Sequence, residues 1–517
     1  MIDAQQEKLA RLELPTDLPS DGVDRLARFL ERTSSEDLSD IRTPLWDQRP
    51  REELLSQLRD TIGLSPFDEV NLLDEQERVK VGPISMRLGI DKRMPDILLL
   101  TEQSWSPESQ ALEAASNYMA SLINNGALRP MSFENSNEAR PKNKFTGLPY
   151  CESSEEHADF YLARCLEGFS SWEQFYYHIL GWRGQANGEV TKNRNLCMAE
   201  KAEVINGGRF VYPLINYLKT LQGFSAWSTP DDVDKGMTRV LHASTGQKIY
   251  SLDQSKFDTH ISGDMFDVMR DIVMQWFTPA VGYDISICFD VLKYVPLIVP
   301  WSLIRKTGGM PSGSVWTNVL DTLINLWIGL YITERLNLNL IDFEVMGDDS
   351  VFLWDDEPSV EEIADVADEI GFELNPDKQH IAIDSIHYLQ RLHIRDHVVD
   401  GLNRGIHSPY RSASGWYGME YWKRDWDEDS VSSRLLTQGE NCGYDTRFPE
   451  IVKYLMDGDK LLCVKDPVQI LRDTGDANSV LETVDRGGFP FNVADPSKAD
   501  SWGIVRLVRA FQEGRGA

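Results

Sequence analysis

The sequence predicts an α+β protein in which hairpin-forming strands are set among amphipathic helices. Three stretches carry that expectation. Val345-Met346-Gly347-Asp348-Asp349-Ser350-Val351-Phe352 puts a glycine and two adjacent acids between short apolar runs, the pattern of strand, tight turn and strand. Ile249-Tyr250-Ser251-Leu252-Asp253 reads as a buried strand ending on an acid. Between them a helical pattern runs from Thr317 to about Glu334, and a second helix, Ser359 to Ile370, follows the hairpin.

Composition bounds what such a chain can be. Its 517 residues allow three or four lobes at roughly 150 residues each. With 41% apolar and 26% charged residues it is ordinary globular material rather than a fibrous or disordered chain. No apolar run approaches the ~20 residues that span a bilayer, and Met1 to Leu14 is too polar for a signal peptide, so no membrane association is expected. The six cysteines include no Cys-x-x-Cys pair, which argues against zinc or a disulfide framework and fits a reducing compartment. Acids outnumber bases 82 to 52, a net charge of −30, which taken alone argues against a protein that merely coats nucleic acid. An enzyme whose cations line an internal channel remains compatible with that charge.

Taken in order, residues 1–130 are mainly acidic amphipathic helices. Pro19 to Arg32 carries Val23, Leu26, Phe29 and Leu30 at helical spacing, and Ser104 to Asn124 is similar. Arg140-Pro141-Lys142-Asn143-Lys144-Phe145-Thr146-Gly147-Leu148-Pro149 then forms a basic loop, either solvated or in contact with phosphates. Arg183, Lys192, Arg194, Lys201 and Arg209 reverse the sign of an otherwise acidic chain, which suits a polyanion or a triphosphate. Asp253 ends its strand and Asp258 falls in the following turn, so their roles can differ.

Gly308-Gly309-Met310-Pro311-Ser312-Gly313-Ser314 is a loop whose backbone can approach a ligand closely. On the helix after it, Thr317, Asp321 and Asn325 share one face among apolar neighbours. Buried polar residues are costly without partners, so this stripe marks either a solvated face or, preferably, a ligand groove. Ser359 and Glu362 form a capping box. Asn375-Pro376-Asp377-Lys378 is a turn carrying a lysine, Tyr388 to Val399 alternates as a strand, and Asp400-Gly401 makes a hairpin turn. Trp416, Tyr417, Tyr421, Trp422 and Trp426 crowd a polar segment, either as a base-stacking platform or as core.

The adjacent acids Asp348 and Asp349 repel each other at one small volume unless a cation lies between them. Hard carboxylate oxygens suit Mg²⁺, with Mn²⁺ as the alternative.

In ordered motifs over roughly residues 140–400, the chain resembles the right-hand type of viral RNA-dependent RNA polymerase. It is most similar to those of small segmented double-stranded-RNA viruses, the picobirnavirus and partitivirus type. Asp253-x4-Asp258 resembles motif A, Ser312-Gly313-x3-Thr317 motif B and Gly347-Asp348-Asp349 motif C. Lys378 sits where motif D places its lysine, and Leu389-Gln390-Arg391-Leu392 resembles motif E. Lys192-x-Arg194 is similar to motif F and Thr146-Gly147-x-Pro149 to motif G. One departure concerns the asparagine with which the family senses the ribose. Its usual position holds Asp321, and Asn325, one turn on, is the next candidate.

The resemblance implies palm, fingers and thumb closed around a central channel, with an antiparallel palm sheet flanked by helices. It divides the chain into an extension bridging fingers and thumb (1–60), fingers (61–245), palm with motif A (246–270) and a fingers insertion (271–305). The remaining palm motifs (306–395) and the thumb with a C-terminal segment (396–517) complete it. It further implies two-metal nucleotidyl transfer, with Asp253 and Asp348 holding the ions and Asp349 supporting. Lys192 and Arg194 would grip a ribonucleoside triphosphate, and Lys378 would protonate pyrophosphate. Asp258, Ser312, Gly313, Thr317 and Asn325 would contact the nucleotide, reading its 2′-hydroxyl. Lys142, Lys144, Gly147, Pro149 and Arg391 would contact template RNA. The expected partners are RNA template and product and a viral capsid protein, in the virion interior or host cytoplasm. The alternatives are a reverse transcriptase, whose motif C usually has an aromatic residue and Met where this chain has Met346-Gly347, and a catalytically dead palm serving as an RNA-binding or structural capsid-interior protein.

Overall fold

The computed structural model describes residues 9, 12–44, 49–142, 145–152, 155–421, 427–473 and 496–514. Within them the strands are β1 (His178–Asn187), β2 (Val190–Met198), β3 (Ile249–Asp253), β4 (Leu297–Val299), β5 (Ser302–Ile304) and β6 (Leu340–Met346). They continue with β7 (Asp349–Trp354), β8 (His380–Ala382), β9 (Ser385–Tyr388), β10 (Arg391–Ile394), β11 (Val398–Val399) and β12 (Leu402–Asn403). One four-stranded sheet has the order β6-β7-β3-β8 with every neighbour antiparallel, and a second has the order β2-β1-β4-β5.

The first sheet is built from the stretches that predicted it. β6 and β7 form the hairpin, with Met346 opposite Asp349, and β3 adds to β7 so that Asp253 stands opposite Asp349. Gly347 takes φ +59°, a left-handed value that a side chain would disfavour, and the chain reverses there. Behind the sheet lies the Thr317–Arg335 helix, buried without interruption from Val319 to Ile332. A helix apolar on nearly all sides belongs at the centre of a core. Here it packs with Phe210, Trp276, Phe352 and Ile363 in one cluster, each fully buried large side chain contributing about 1.5–3 kcal/mol.

Ser359 caps the Val360–Glu369 helix with the reciprocal Glu362 bond that the sequence predicted. The N-terminal residues enter two other cores. The Ser20–Ser34 helix packs Leu26 and Leu30 against Leu148, Ile179 and Ile298, beside β1 and β4. The Arg51–Ile62 helix packs Leu54 and Leu58 against Trp416, Leu435, Ile451 and Ile504 of the C-terminal helices.

Two expectations need correcting. Tyr388 to Val399 is not one strand: Leu389 and Gln390 have φ of 51° and 65°, and β9 turns back on β10 there. No Gly, Asn or Asp marks that turn, so alternation alone reads through it. The aromatic cluster is core rather than platform where it is described. Trp416 and Tyr417 are fully buried, and the Tyr417 hydroxyl meets that of Tyr454 at 2.6 Å. Tyr421 is 40% exposed, and Trp422 and Trp426 lie outside the described residues.

Candidate active site

Three carboxylates meet at one end of the first sheet. Asp253 closes β3, Asp349 opens β7 directly opposite it, and Asp348 is exposed at the hairpin tip. Burial raises the Asp253 carboxyl above its ordinary range and the Asp348 charge raises it further, while Lys378, Lys192 and Arg194 pull it back. Asp349 is raised by burial, then by Asp348 and Asp253, with Arg411 and Arg194 opposing. Asp253 and Asp349 are thus pushed toward neutrality, first by burial and then by the neighbouring acids, an arrangement that a bound cation would relieve. Hard oxygen donors brought to one end of a sheet suit divalent metal ions, and these three side chains are the ones that would hold them.

The backbone around these acids is held by side chains. Gln379 bonds both ends of Asp253: its Oε1 accepts the Asp253 N–H at 2.8 Å and its Nε2 donates to the Asp253 carbonyl at 3.0 Å. On the hairpin side, the Gly347 N–H donates to Thr322 Oγ1 at 2.8 Å, and Asn325 Nδ2 donates to the Gly347 carbonyl at 3.0 Å. Asn325 Oδ1 also accepts from Gln254 Nε2 at 3.3 Å. The Asn325 amide is therefore fully buried and committed at both ends, which corrects the expectation that it reads a ribose.

Asp258 lies in the short Phe257–His260 helix, and its backbone carbonyl accepts from the Met310 N–H at 2.7 Å, fixing the start of the Ser312 loop. Burial, then the Asp348 charge, pushes its carboxyl up to about 6. The carboxyl of Asp321 is hydrogen-bonded to it. Asp321 is 6% exposed, its Oδ1 has no protein partner, and burial raises its carboxyl well above the usual range. Two carboxyls in hydrogen-bond contact require a proton between them.

The Ser312 loop is wedged against β2. Ser312 Oγ accepts the Cys197 N–H at 3.1 Å, and a Cβ on Gly313 would stand 2.2 Å from the Cys197 carbonyl oxygen, so only glycine fits there. Thr317 donates its hydroxyl to the Pro311 carbonyl at 2.9 Å and the Ser314 carbonyl at 3.0 Å, holding the loop closed.

The same strand β2 carries Lys192 and Arg194, both exposed. The Lys192 ammonium is held below its ordinary range by partial desolvation, then by the charges of Arg194 and Lys378, with Asp253 opposing. The three cations thus lie within electrostatic reach of one another and of the acids. Arg194 Nε donates to Gln185 Oε1 at 2.9 Å across the β1–β2 ladder.

Other expected residues lie elsewhere. Arg391 is buried in β10, Pro149 is buried against Gly22 of the Ser20–Ser34 helix and Gly147 against Ala199, so none of the three presents a surface to template. Lys142 is exposed and donates to the Asn137 carbonyl, and Lys144 lies outside the described residues. Lys201 pairs with Glu155 at 2.9 Å and Arg209 with Asp284 at 3.3 Å, so the basic segment contributes only part of its charge to the site. Sequence reasoning missed Gln379, Thr322 and Arg411. Their signals are weak singly, since a glutamine after a turn or a threonine on an apolar helix has many uses. Among the described residues, Glu152, Glu156 and His157 bring ligand atoms within 4.8 Å of one another, beside the Tyr150 ring rather than at the acidic centre.

Comparison with known proteins identifies this arrangement. A family profile described as viral RNA-dependent RNA polymerase matches residues 138–438. A protein of human picobirnavirus (strain Human/Thailand/Hy005102/-), described as a potential RNA-dependent RNA polymerase, is 28% identical over 410 residues, 75% of this chain and 76% of that protein. The crystal structure of the RNA-dependent RNA polymerase of a human picobirnavirus superposes with a TM-score of 0.81 at 21% identity, covering 96% of this chain and 98% of the other. An insertion-loop deletion mutant of such a polymerase gives 0.78 at 21% identity, covering 94% and 96%. The α+β architecture is thus that of a right-hand polymerase, and among the described residues no helix is long and apolar enough to cross a membrane. Because the matched region spans more than half of the sequence and holds all three acids, the chain belongs to the viral RNA-dependent RNA polymerases, nucleotidyltransferases that make RNA on an RNA template from ribonucleoside triphosphates with divalent metal ions.

Proposed function

We propose that the cluster of Asp253, Asp348 and Asp349 is the catalytic centre of this polymerase, with Asp253 and Asp348 as the principal metal ligands and Asp349 in support. The observation that carries this is that three carboxylates share one end of the sheet, with Asp253 and Asp349 both raised by burial and then by the Asp348 charge, within electrostatic reach of Lys192, Arg194 and Lys378. Mg²⁺ is the ion proposed, with Mn²⁺ as the alternative; when bound it supplies charge neutralisation and Lewis acidity to the reacting phosphate oxygens.

The chain's own residues do the rest. Lys192 and Arg194 hold the triphosphate, the arginine through its planar fork. Lys378, exposed on its turn, lies within electrostatic reach of Asp253 and donates a proton to the departing pyrophosphate. Asp258 faces the ribose and accepts from its 2′-hydroxyl, with Asp321 behind it, while Ser312, Gly313 and Thr317 shape the loop against which the sugar rests. Positioning and charge neutralisation account for most of the acceleration in phosphoryl transfer, and fixed side chains of this kind supply both. Lys142 and Lys144 are the proposed template contacts of the basic loop.

Around this centre we assign 1–60 to a bridge between fingers and thumb, supported by its helices entering two separate cores. Residues 61–245 and 271–305 form the fingers, 246–270 and 306–395 the palm, and 396–517 the thumb and C-terminal segment. The product would be a viral RNA genome or transcript, made in the virion interior or host cytoplasm next to capsid protein. The test is binding of Mn²⁺ followed by electron paramagnetic resonance. Wild type should bind it, Asp253→Asn and Asp348→Ala should weaken binding by at least about 10-fold, and unchanged binding in both variants would remove the assignment.

A further inference from the structure

We infer that Thr322 and Asn325 are positioning residues for nucleotidyl transfer, which clamp the Gly347 peptide and so fix where Asp348 stands relative to Asp253. This rests on the reading of the three acids as the metal-binding centre and adds to it the residues that set their geometry.

The Gly347 peptide groups are gripped from one side by one helix. Its N–H donates to Thr322 Oγ1 at 2.8 Å, and its carbonyl accepts from Asn325 Nδ2 at 3.0 Å. The two side chains lie three residues apart on the Thr317–Arg335 helix, hence on one face. A hairpin tip that bears an exposed acid can satisfy its turn peptide with water. Here two buried side chains have taken that role.

The location makes the arrangement informative. Thr322 and Asn325 are fully buried within a run where every residue from Val319 to Ile332 is buried. Apolar residues there would pack without desolvating polar atoms, so a buried hydroxyl and amide are retained only for bonds that fix something. Their partners are complete. The Thr322 hydroxyl accepts from Gly347 and donates to the Asn318 carbonyl at 2.7 Å. Asn325 Oδ1 accepts from Gln254 Nε2 at 3.3 Å.

Gln254 directly follows Asp253, and Gly347 directly precedes Asp348. One buried amide therefore joins the segments bearing two of the acids, and the helix that carries it is buried without a break from Val319 to Ile332. Neither side chain touches substrate. Both act by holding the hairpin tip in register with the end of β3. Misplacing reacting groups by about 1 Å costs on the order of 10²-fold in rate, so such a clamp governs turnover rather than nucleotide affinity.

The experiment compares Thr322→Val, Thr322→Ser and Asn325→Leu in the full chain, with Asp348→Ala as reference. It measures kcat, KM for nucleotide, the Mg²⁺ concentration at half-maximal rate and the urea midpoint. Valine keeps the shape of threonine and removes its hydroxyl, whereas serine keeps the hydroxyl. Thr322→Val and Asn325→Leu should lower kcat by about 10–100-fold with KM within about threefold, and should raise the Mg²⁺ requirement. Thr322→Ser should restore kcat to within about threefold of wild type. A fully active Thr322→Val, or a Thr322→Ser as impaired as the valine variant at equal folded fraction, overturns the clamp. If Asn325→Leu does not fold, the threonine pair decides alone. An active Asp348→Ala would instead overturn the reading of the acidic centre, while a dead Asp348→Ala beside a fully active Thr322→Val overturns only the positioning role.

Discussion

Asp253 and Asp349 are direct cross-strand partners at the end of the β3–β7 ladder. Side chains so paired stand about 4.5–5.5 Å apart at their Cβ atoms, and like charges there destabilise a sheet. The next pair inward, Leu252 opposite Ser350, is apolar against hydroxyl, so the repulsion is confined to the edge that also receives Asp348. The sheet itself therefore creates the site: the register of two strands delivers two carboxylates, and the turn between β6 and β7 delivers the third.

Burial of the neighbouring Asp258, reinforced by the Asp348 charge, has a pH signature. A carboxyl like that of Asp258 ordinarily titrates near 3.8 and is held up to about 6 in the fold. Below the lower value both folded and unfolded chains are protonated. Between the two values the folded state keeps a proton that the unfolded chain has released, so its stability falls as pH rises through about 6. Asp258→Asn cannot titrate and should gain stability relative to wild type across that interval, levelling off above it. Urea midpoints of both metal-free proteins from about pH 4.5 to about pH 7.5 test this, and a pH-independent difference would contradict it.

The Asp258–Asp321 contact predicts sugar selectivity. An asparagine at 321 can donate to Asp258 as a protonated Asp321 does, so Asp321→Asn should keep its preference for ribonucleotides over deoxyribonucleotides. Asp321→Ala frees Asp258 and should relax the preference by about 10–100-fold, the worth of one charge-assisted hydrogen bond. The ratio of kcat/KM values for the two nucleotide classes measures it, and equal ratios in the alanine variant and wild type would exclude the role.

Lys192 and Arg194, together with Lys378 and Arg411, supply positive charge at the acidic centre of an acidic chain. Arg194→Ala should raise KM for nucleotide or lower kcat, by about 10–100-fold overall, and Lys192→Ala should do so less strongly. Template affinity of the wild type should fall steeply with salt as counterions are displaced, and affinity that is flat from low to moderate salt would contradict a phosphate-lined site.

Trp416 tests the corrected view of the aromatic cluster. It is fully buried with Leu54, Leu436 and Ile451 around it in the same core. Trp416→Ala should lower stability by about 3–5 kcal/mol and slow primer-independent initiation and primer extension together, in proportion to the unfolded fraction. Selective loss of primer-independent starts, with the urea midpoint unchanged, would restore the stacking platform.

Much of this was readable in the sequence because it was carried by local patterns. Gly347-Asp348-Asp349 between apolar runs, Asp253 at a strand end, and the Ser359–Glu362 capping box depend on neighbours a few residues away. What stayed hidden depends on distant partners. The polar face Thr317, Asp321 and Asn325 was visible, but an asparagine facing a ligand and one facing a peptide of the next hairpin have the same spacing. Gln379 is separated from Asp253 by more than a hundred residues and meets it only because β8 joins β3. Arg391 and Pro149 matched short motifs in segments that pack inward, and burial is set by tertiary contacts that a motif does not contain.

The most direct test is incorporation of labelled ribonucleotides by the purified full chain on a defined RNA template. Wild type should extend RNA with added Mg²⁺ and stop when the ion is chelated. Asp253→Asn and Asp348→Ala, with circular dichroism matching the wild type, should each lose at least about 10³-fold of that activity, since removal of a metal ligand costs several kcal/mol of transition-state stabilisation. Near-wild-type synthesis by either folded variant, or synthesis that continues undiminished in chelator, would contradict the placement of the catalytic centre at these acids.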